Sequence, residues 1–170
     1  MTIRDAAERD LPAILDIFNA TVPTRMSTAV LEPVGVEERR AWFHEHTPDH
    51  HPLWVLEIDG AIAGWLSCHA FISRCAYAGT VEVSVYVHEN FRRRGVAQAL
   101  LEEGIARGPA LGITALAGLI LGHNEASLRL FARLGFERWG LLPRVARLDG
   151  IERDIVIVGR HLAADGLAIS

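Results

Sequence analysis

At 170 residues, half of them hydrophobic and 22% charged, the chain has the size and balance of one ordinary globular domain with a full core. A net charge of −4 leaves no basic excess for general binding to nucleic-acid phosphates. Two cysteines, Cys68 and Cys75, are too few for a disulfide framework, the N-terminus is charged without an apolar signal region, and no apolar run nears the roughly 20 residues needed to span a bilayer, so a soluble cytoplasmic protein is expected.

Residues 2–7 read as a short first strand. Asp10 is placed to cap the helix that follows, and Pro12 is tolerated in its first turn. Leu11, Ile14, Leu15 and Phe18 give that helix an apolar stripe. The stretch T-V-P-T-R-M-S-T-A-V-L-E-P-V-G then carries two prolines and no period. It reads as a long loop, and long ordered loops tend to carry function. A second helix is expected over residues 36–46. Two strands, Leu53–Ile58 and residues 61–71, flank Asp59-Gly60, a hairpin signal.

The next stretch alternates strictly. Val81, Val83, Val85 and Val87 fall on one face; Thr80, Glu82, Ser84 and Tyr86 fall on the other. That is a strand with a dry face and a polar face. After Ala97 the period becomes helical, with Leu100, Leu101, Ile105 and Leu111 near one side. Pro109 should kink or end this helix early, and Gly112 is a natural stop. Between strand and helix lie Arg92, Arg93, Arg94 and Gly95. Unpartnered N–H groups, the helix dipole and a basic turn together form an anion site, and Gly95 lets the backbone approach a ligand. Residues 114–121 are almost wholly apolar, as in a strand covered on both faces. Asn124 can cap the next helix, with Leu128, Phe131 and Ala132 as its inner stripe and Gly135 at its end. Residues 136–148 and Ile151–His161 finish as antiparallel strands around Asp149-Gly150, and the last eight or so residues are expected to fray.

Arg92-Arg93-Arg94-Gly95-Val96-Ala97 resembles the Q/R-x-x-G-x-G/A pyrophosphate loop of the GNAT N-acetyltransferase superfamily. The surrounding order fits: a strand with a polar glutamate, the loop, a helix, a strand, Asn124 and another helix. T-V-E-V-S-V-Y-V, the R-x-A-Y at Arg74 to Tyr77 and Gly150-x-x-x-Asp154 resemble the phosphinothricin and methionine sulfoximine acetyltransferase branch. The similarity runs from Ile3 to Leu162. It implies a single mixed α/β domain over residues 1–170, its core at about residues 2–162, with about seven mostly antiparallel strands splayed at the centre and helices on both faces.

The resemblance also implies acetyl-CoA as cosubstrate and no metal. Arg92, Arg93, Arg94, Gly95, Val96, Ala97 and Gln98 would hold its phosphates. Val85, Tyr86 and Val87 would pair with pantetheine, and Asn124 and Ser127 would meet the coenzyme arm. Glu82, on the wall of the cleft, would take the proton from an arriving ammonium. Arg74, Cys75, Ala76 and Tyr77 would meet the acceptor, an amino acid or amino-acid-like toxin such as phosphinothricin or methionine sulfoximine. Arg144 and Arg147 are rival carboxylate partners. Phe131 stands where the family carries a tyrosine or histidine, which leaves the general acid for the thiolate unassigned, water and Tyr86 being the substitutes. The branch is commonly dimeric, and a homodimer is expected. Three other readings stay open: a peptide N-acetyltransferase, a coenzyme-binding sensor without catalysis, and a metal-dependent hydrolase using His44, His46, His50 and His51. Those histidines lack a metal-ligand spacing and read more simply as a solvated helix end and loop.

Overall fold

The computed structural model of the protein describes residues 1–162. Its strands are β1 (Thr2–Asp5), β2 (Leu53–Ile58), β3 (Ala61–Ala70), β4 (Thr80–Val87), β5 (Ala115–Leu121), β6 (Glu137–Leu148) and β7 (Ile151–His161). Its helices are α1 (Leu11–Thr21), α2 (Val36–His44), α3 (Val96–Arg107) and α4 (Glu125–Arg133). The strands form one seven-stranded sheet in the order β1-β2-β3-β4-β5-β7-β6.

Period-2 alternation decides which helix covers which face. Ile14, Ile17 and Phe18 of α1 pack on Leu53, Val55 and Trp65, with Trp42 and Phe43 of α2 beside them. On the other face Leu100 and Leu101 of α3 and Phe131 of α4 pack on Trp54, Leu56, Leu66, Val81 and Val83. Helices thus cover the centre of the sheet on both sides. The hairpins turn as their sequences demand: Asp59 and Gly60 have φ of 51° and 79°, and Asp149 and Gly150 have 51° and 80°. Two successive left-handed residues match the twist of the strands they join.

Only β4 and β5 run parallel, and they pair only at Thr80 with Ala115, Val81 with Leu116 and Glu82 with Ala117. Beyond Glu82 they part. The rest of β4 pairs with β3 alone, and the rest of β5 with β7 alone. The split explains a departure from expectation: Leu119, read as part of a strand covered on both faces, is 44% exposed because it faces the gap.

Other expectations shift by local chemistry. Asp10 does not cap α1. Its carboxylate turns back to accept from the N–H of Ala7 at 2.7 Å and from Arg4 at 2.7 Å. Arg4 also reaches Glu57 at 2.6 Å, so a charged, bidentate partner outcompetes the helix end. Ala132 is exposed, and α4 instead turns Leu128, Leu130, Phe131 and Leu134 inward. The first strand stops at Asp5 and the second helix at His44. As proline requires, α3 stops at Arg107, and Pro109–Leu111 makes a separate 3-10 turn before Gly112 at φ 74°. The final eight positions lie outside the described residues. No helix among the described residues is long and apolar enough to cross a membrane.

Candidate active site

The parting of β4 and β5 opens a small cavity of about 70 Å³ lined by both strands. A cleft of about 570 Å³ adjoins it. Val85, Tyr86 and Val87 form one wall; Arg92, Arg93, Gly95, Val96, Ala97 and Gln98 form another; Asn124 and Ser127 close a third. Of the residues expected around a coenzyme, only Arg94 is outside this lining. Its guanidinium sits 5.2 Å from the ring centre of Phe91. The loop can wrap because Arg93 and Gly95 are left-handed, at φ 60° and 79°. The first N–H groups of α3, on Val96, Ala97 and Gln98, have no intrahelical acceptor, and the dipole adds positive potential there. Arg92 and Arg93 are exposed and have no carboxylate partner among the described residues.

Two details fix this wall. A Cβ on Gly64 would lie 2.7 Å from Val96 Cγ1 and 2.8 Å from the carbonyl oxygen of Tyr86. The absent side chain lets the start of α3 sit directly on the sheet beside β4. Asn124 is buried, and its amide is engaged at both ends. Oδ1 accepts from the N–H of Ser127 at 3.1 Å, and Nδ2 donates to the carbonyl of Met26 at 2.8 Å. Its first task is therefore to cap α4 and pin a loop.

A second cavity, about 220 Å³, lies between the sheet and the α1–α2 layer. Its floor is the polar face of β4, with Glu82, Ser84 and Tyr86. Its sides are Ile14, Leu15 and Phe18 from α1, Arg39 and Trp42 from α2, and Trp65, Ser67 and His69 from β3. Tyr86 lines all three cavities, its ring 4.6 Å from that of Trp65 and 5.3 Å from that of Phe18. Burial pushes the Glu82 carboxyl above the usual carboxylate range and raises the Tyr86 phenol as well. His69 pairs with Glu82 across β3 and β4, and its Nε2 accepts from the indole N–H of Trp42 at 3.1 Å. Burial depresses the His69 imidazole, and it pushes His46, whose ring lies 4.4 Å from that of His69, down to about 4. Both shifts favour the uncharged imidazole.

The long loop before α2 joins the cavities. Met26 and Ser27 line the coenzyme side; Thr28 and Val30 line the other. It is tied down at Arg25 by Asp149 at 2.9 Å and by the His123 ring, whose Nε2 meets the Arg25 carbonyl at 2.8 Å. The Tyr86 hydroxyl reaches the Ser27 carbonyl at 3.4 Å.

Several expected residues are elsewhere. Arg74, Cys75, Ala76 and Tyr77 form an exposed turn that lines none of these three cavities. Arg144 and Arg147 both face Glu152, at 3.8 and 3.2 Å. Phe131 lines the small cavity, packed edge-on to Phe136, and has no proton to give. Among the described residues no group of three or more His, Cys, Asp or Glu is arranged to hold a metal ion. Sequence reasoning missed Arg39, Trp42, Trp65 and His69. Their elements were anticipated, but nothing in the period says that α2 and β3 face one cavity.

The arrangement offers an anion-binding helix start, a strand with one edge unpaired, and a half-buried carboxylate of raised basicity behind it. A sequence profile of the Acetyltransferase (GNAT) family matches residues 11–136. The chain is 46% identical over 164 residues to the Bacillus subtilis protein YwnH, covering 96% of this chain and all of that one (100%). It is 34% identical over 162 residues to an L-methionine sulfoximine/L-methionine sulfone acetyltransferase of Pseudomonas aeruginosa, covering 95% and 94%. Among solved structures, a phosphinothricin acetyltransferase of Sinorhizobium meliloti in complex with AcCoA superposes with a TM-score of 0.89 at 32% identity, covering 95% of this chain and 88% of that one.

Proposed function

The chain belongs to the acetyltransferase (GNAT) family, and on that premise we propose that it moves the acetyl group of acetyl-CoA to the primary amine of a small amino-acid-like molecule. Methionine sulfoximine, methionine sulfone and phosphinothricin, the acceptors named for its relatives, are the leading candidates. One observation carries the reading: Glu82 stands where β4 and β5 part, and Tyr86 belongs at once to the coenzyme-sized cleft and to the smaller cavity beneath α1 and α2. The smaller cavity lies below the roughly 300–1,000 Å³ typical of drug-sized ligands, which suits an amino acid better than a peptide.

In this reading the arginine loop and the start of α3 bind the coenzyme phosphates. Pantetheine pairs with the free edge of β4 at Val85 to Val87. Glu82 takes a proton from the acceptor ammonium, directly or through a water. The neutral amine attacks the thioester carbonyl, and a β4 backbone N–H holds the oxyanion. The intermediate gives up its second nitrogen proton to water and collapses to amide and thiolate. Phe131 cannot protonate that thiolate; the phenol of Tyr86, kept protonated by burial, is assigned the task. Holding amine and thioester together supplies much of the acceleration. Free Cys68 and Cys75 and the coenzyme itself suit a reducing cytoplasm.

The test is a screen of L-methionine sulfone, L-methionine sulfoximine, phosphinothricin, polyamines and peptide N-termini with acetyl-CoA, read by thiol release. Turnover should concentrate on the amino-acid analogues. Faster turnover of peptides or polyamines would move the acceptor class, and coenzyme binding without turnover of any amine would leave a sensor.

A further inference from the structure

One side chain in the smaller cavity carries a permanent positive charge. Arg39 lines it beside Trp42, Trp65 and Glu82. Its guanidinium carbon lies 5.2 Å from the ring centre of Phe18 and 5.1 Å from that of Trp42. Two aromatic faces thus hold the cation in a partly buried corner. Its neighbour Arg40 takes both Glu8 and Glu37, and Arg4 takes Asp10 and Glu57. Arg39 pairs with no carboxylate among the described residues.

A free guanidinium fork matches a planar anion in two parallel hydrogen bonds. The cavity that must receive an ammonium therefore also contains a fixed cation. Like charges repel strongly in a partly dry pocket, so that cation works against amine binding unless the acceptor brings a negative group of its own. Glu82 and Arg39, on β4 and α2 of one cavity, are the complement of a zwitterion. Ile14, Leu15, Phe18 and Val30 leave an apolar wall for the rest of the molecule. Arg74, Arg144 and Arg147 do not line this space.

Resting on the amine-acetylation reading above, we infer that Arg39 binds the carboxylate of the acceptor and restricts the enzyme to α-amino acid zwitterions whose side chain fits the apolar wall. Arg39 determines specificity here; the proton transfer remains with Glu82.

The experiment compares L-methionine sulfone with the amine left by removing its carboxylate, in wild type, Arg39→Gln and Arg39→Lys, with acetyl-CoA affinity measured by calorimetry on each protein. Wild type should prefer the amino acid. In Arg39→Gln the ratio of kcat/KM for the two acceptors should fall by about 10- to 100-fold, the loss expected for a charged pair. Arg39→Lys, which keeps the charge and loses the fork, should fall less. A preference that survives in both variants, with acetyl-CoA affinity as in wild type, overturns the assignment and leaves Arg39 a packing residue. If only Arg39→Lys still binds acetyl-CoA, its ratio decides in the same way. Wild type that acetylates the decarboxylated amine equally well overturns the zwitterion inference and spares amine acetylation. Wild type that binds acetyl-CoA and acetylates neither overturns both.

Discussion

At the scale of the residue, Glu82 concentrates the chemistry. Its position was legible because strict alternation puts it on the polar face of a strand whose other face is valine, and the structure buries that polar face halfway. Burial disfavours the charged carboxylate and raises its pKa, bringing a poor base closer to the working range. The base must be ionised to act, so activity should rise with pH through the raised Glu82 pKa. Glu82→Gln keeps the shape and removes the base. At neutral pH its turnover should fall by about 10²–10⁴-fold with little change in acetyl-CoA affinity. The deficit should shrink as pH rises towards the amine pKa, where the acceptor is already neutral. A full pH–rate profile checks this, and wild-type turnover at neutral pH would remove Glu82 as base. Stability should move the other way. A carboxyl whose folded pKa is raised costs stability once pH exceeds its unfolded value, so the glutamine variant should be the more stable protein at neutral pH, with the gain fading in acid.

Arg39 shows the limit of reading residues singly. In the sequence it is one of two adjacent arginines on a weakly patterned helix, with no neighbour to mark it. Its meaning comes from Phe18 on α1, Trp42 on α2 and the floor of β4, contacts between residues distant in the chain. The exposed turn from Arg74 to Tyr77, by contrast, was read from a resemblance that identifies a segment and not the direction it faces.

At the scale of the element, local patterning was a good guide because period and turn chemistry are local. The alternation of β4, the stop of α3 before Pro109 and both Asp-Gly hairpins follow from a few adjacent residues. The misreadings at Asp10 and Ala132 come from tertiary partners, Arg4 in one case and the sheet surface under α4 in the other. The β4–α3 connection carries the sharpest element-level test. Three arginines look equivalent in sequence, but Arg92 and Arg93 line the cleft while Arg94 stacks on Phe91. Arg92→Ala with Arg93→Ala should weaken acetyl-CoA binding by about tenfold or more, below the full value of two charged hydrogen bonds because both side chains are exposed. Arg94→Ala should weaken it far less. Calorimetry that finds Arg94→Ala to cost half as much binding free energy as the double variant would show that net charge, and not the shape of the loop, holds the coenzyme.

At the scale of the molecule, the C-terminal hairpin carries a cluster of exposed apolar side chains. β6 is the edge of the sheet and is 12 residues long. Trp139, Leu141, Leu142, Val145 and Ile151 of β6 and β7 are exposed by 39%, 41%, 42%, 60% and 54%. Exposed apolar side chains gathered on one hairpin mark an association face more often than a bare surface. We therefore propose that this hairpin is the face through which two copies associate. The tip of the same hairpin grips the loop that joins the two cavities, through Asp149 and Arg25. Holding the hairpin in a dimer would steady that loop and the acceptor wall it supplies. Light scattering should give twice the chain mass of 18.7 kDa. Val145→Glu, which sets like charges against each other across a self-complementary contact, should yield monomers. Those monomers should bind acetyl-CoA normally but show a raised KM for the amine. A wild-type mass of 18.7 kDa at working concentration would rule out the dimer. A Val145→Glu monomer with unchanged KM would keep the dimer and break its link to the loop.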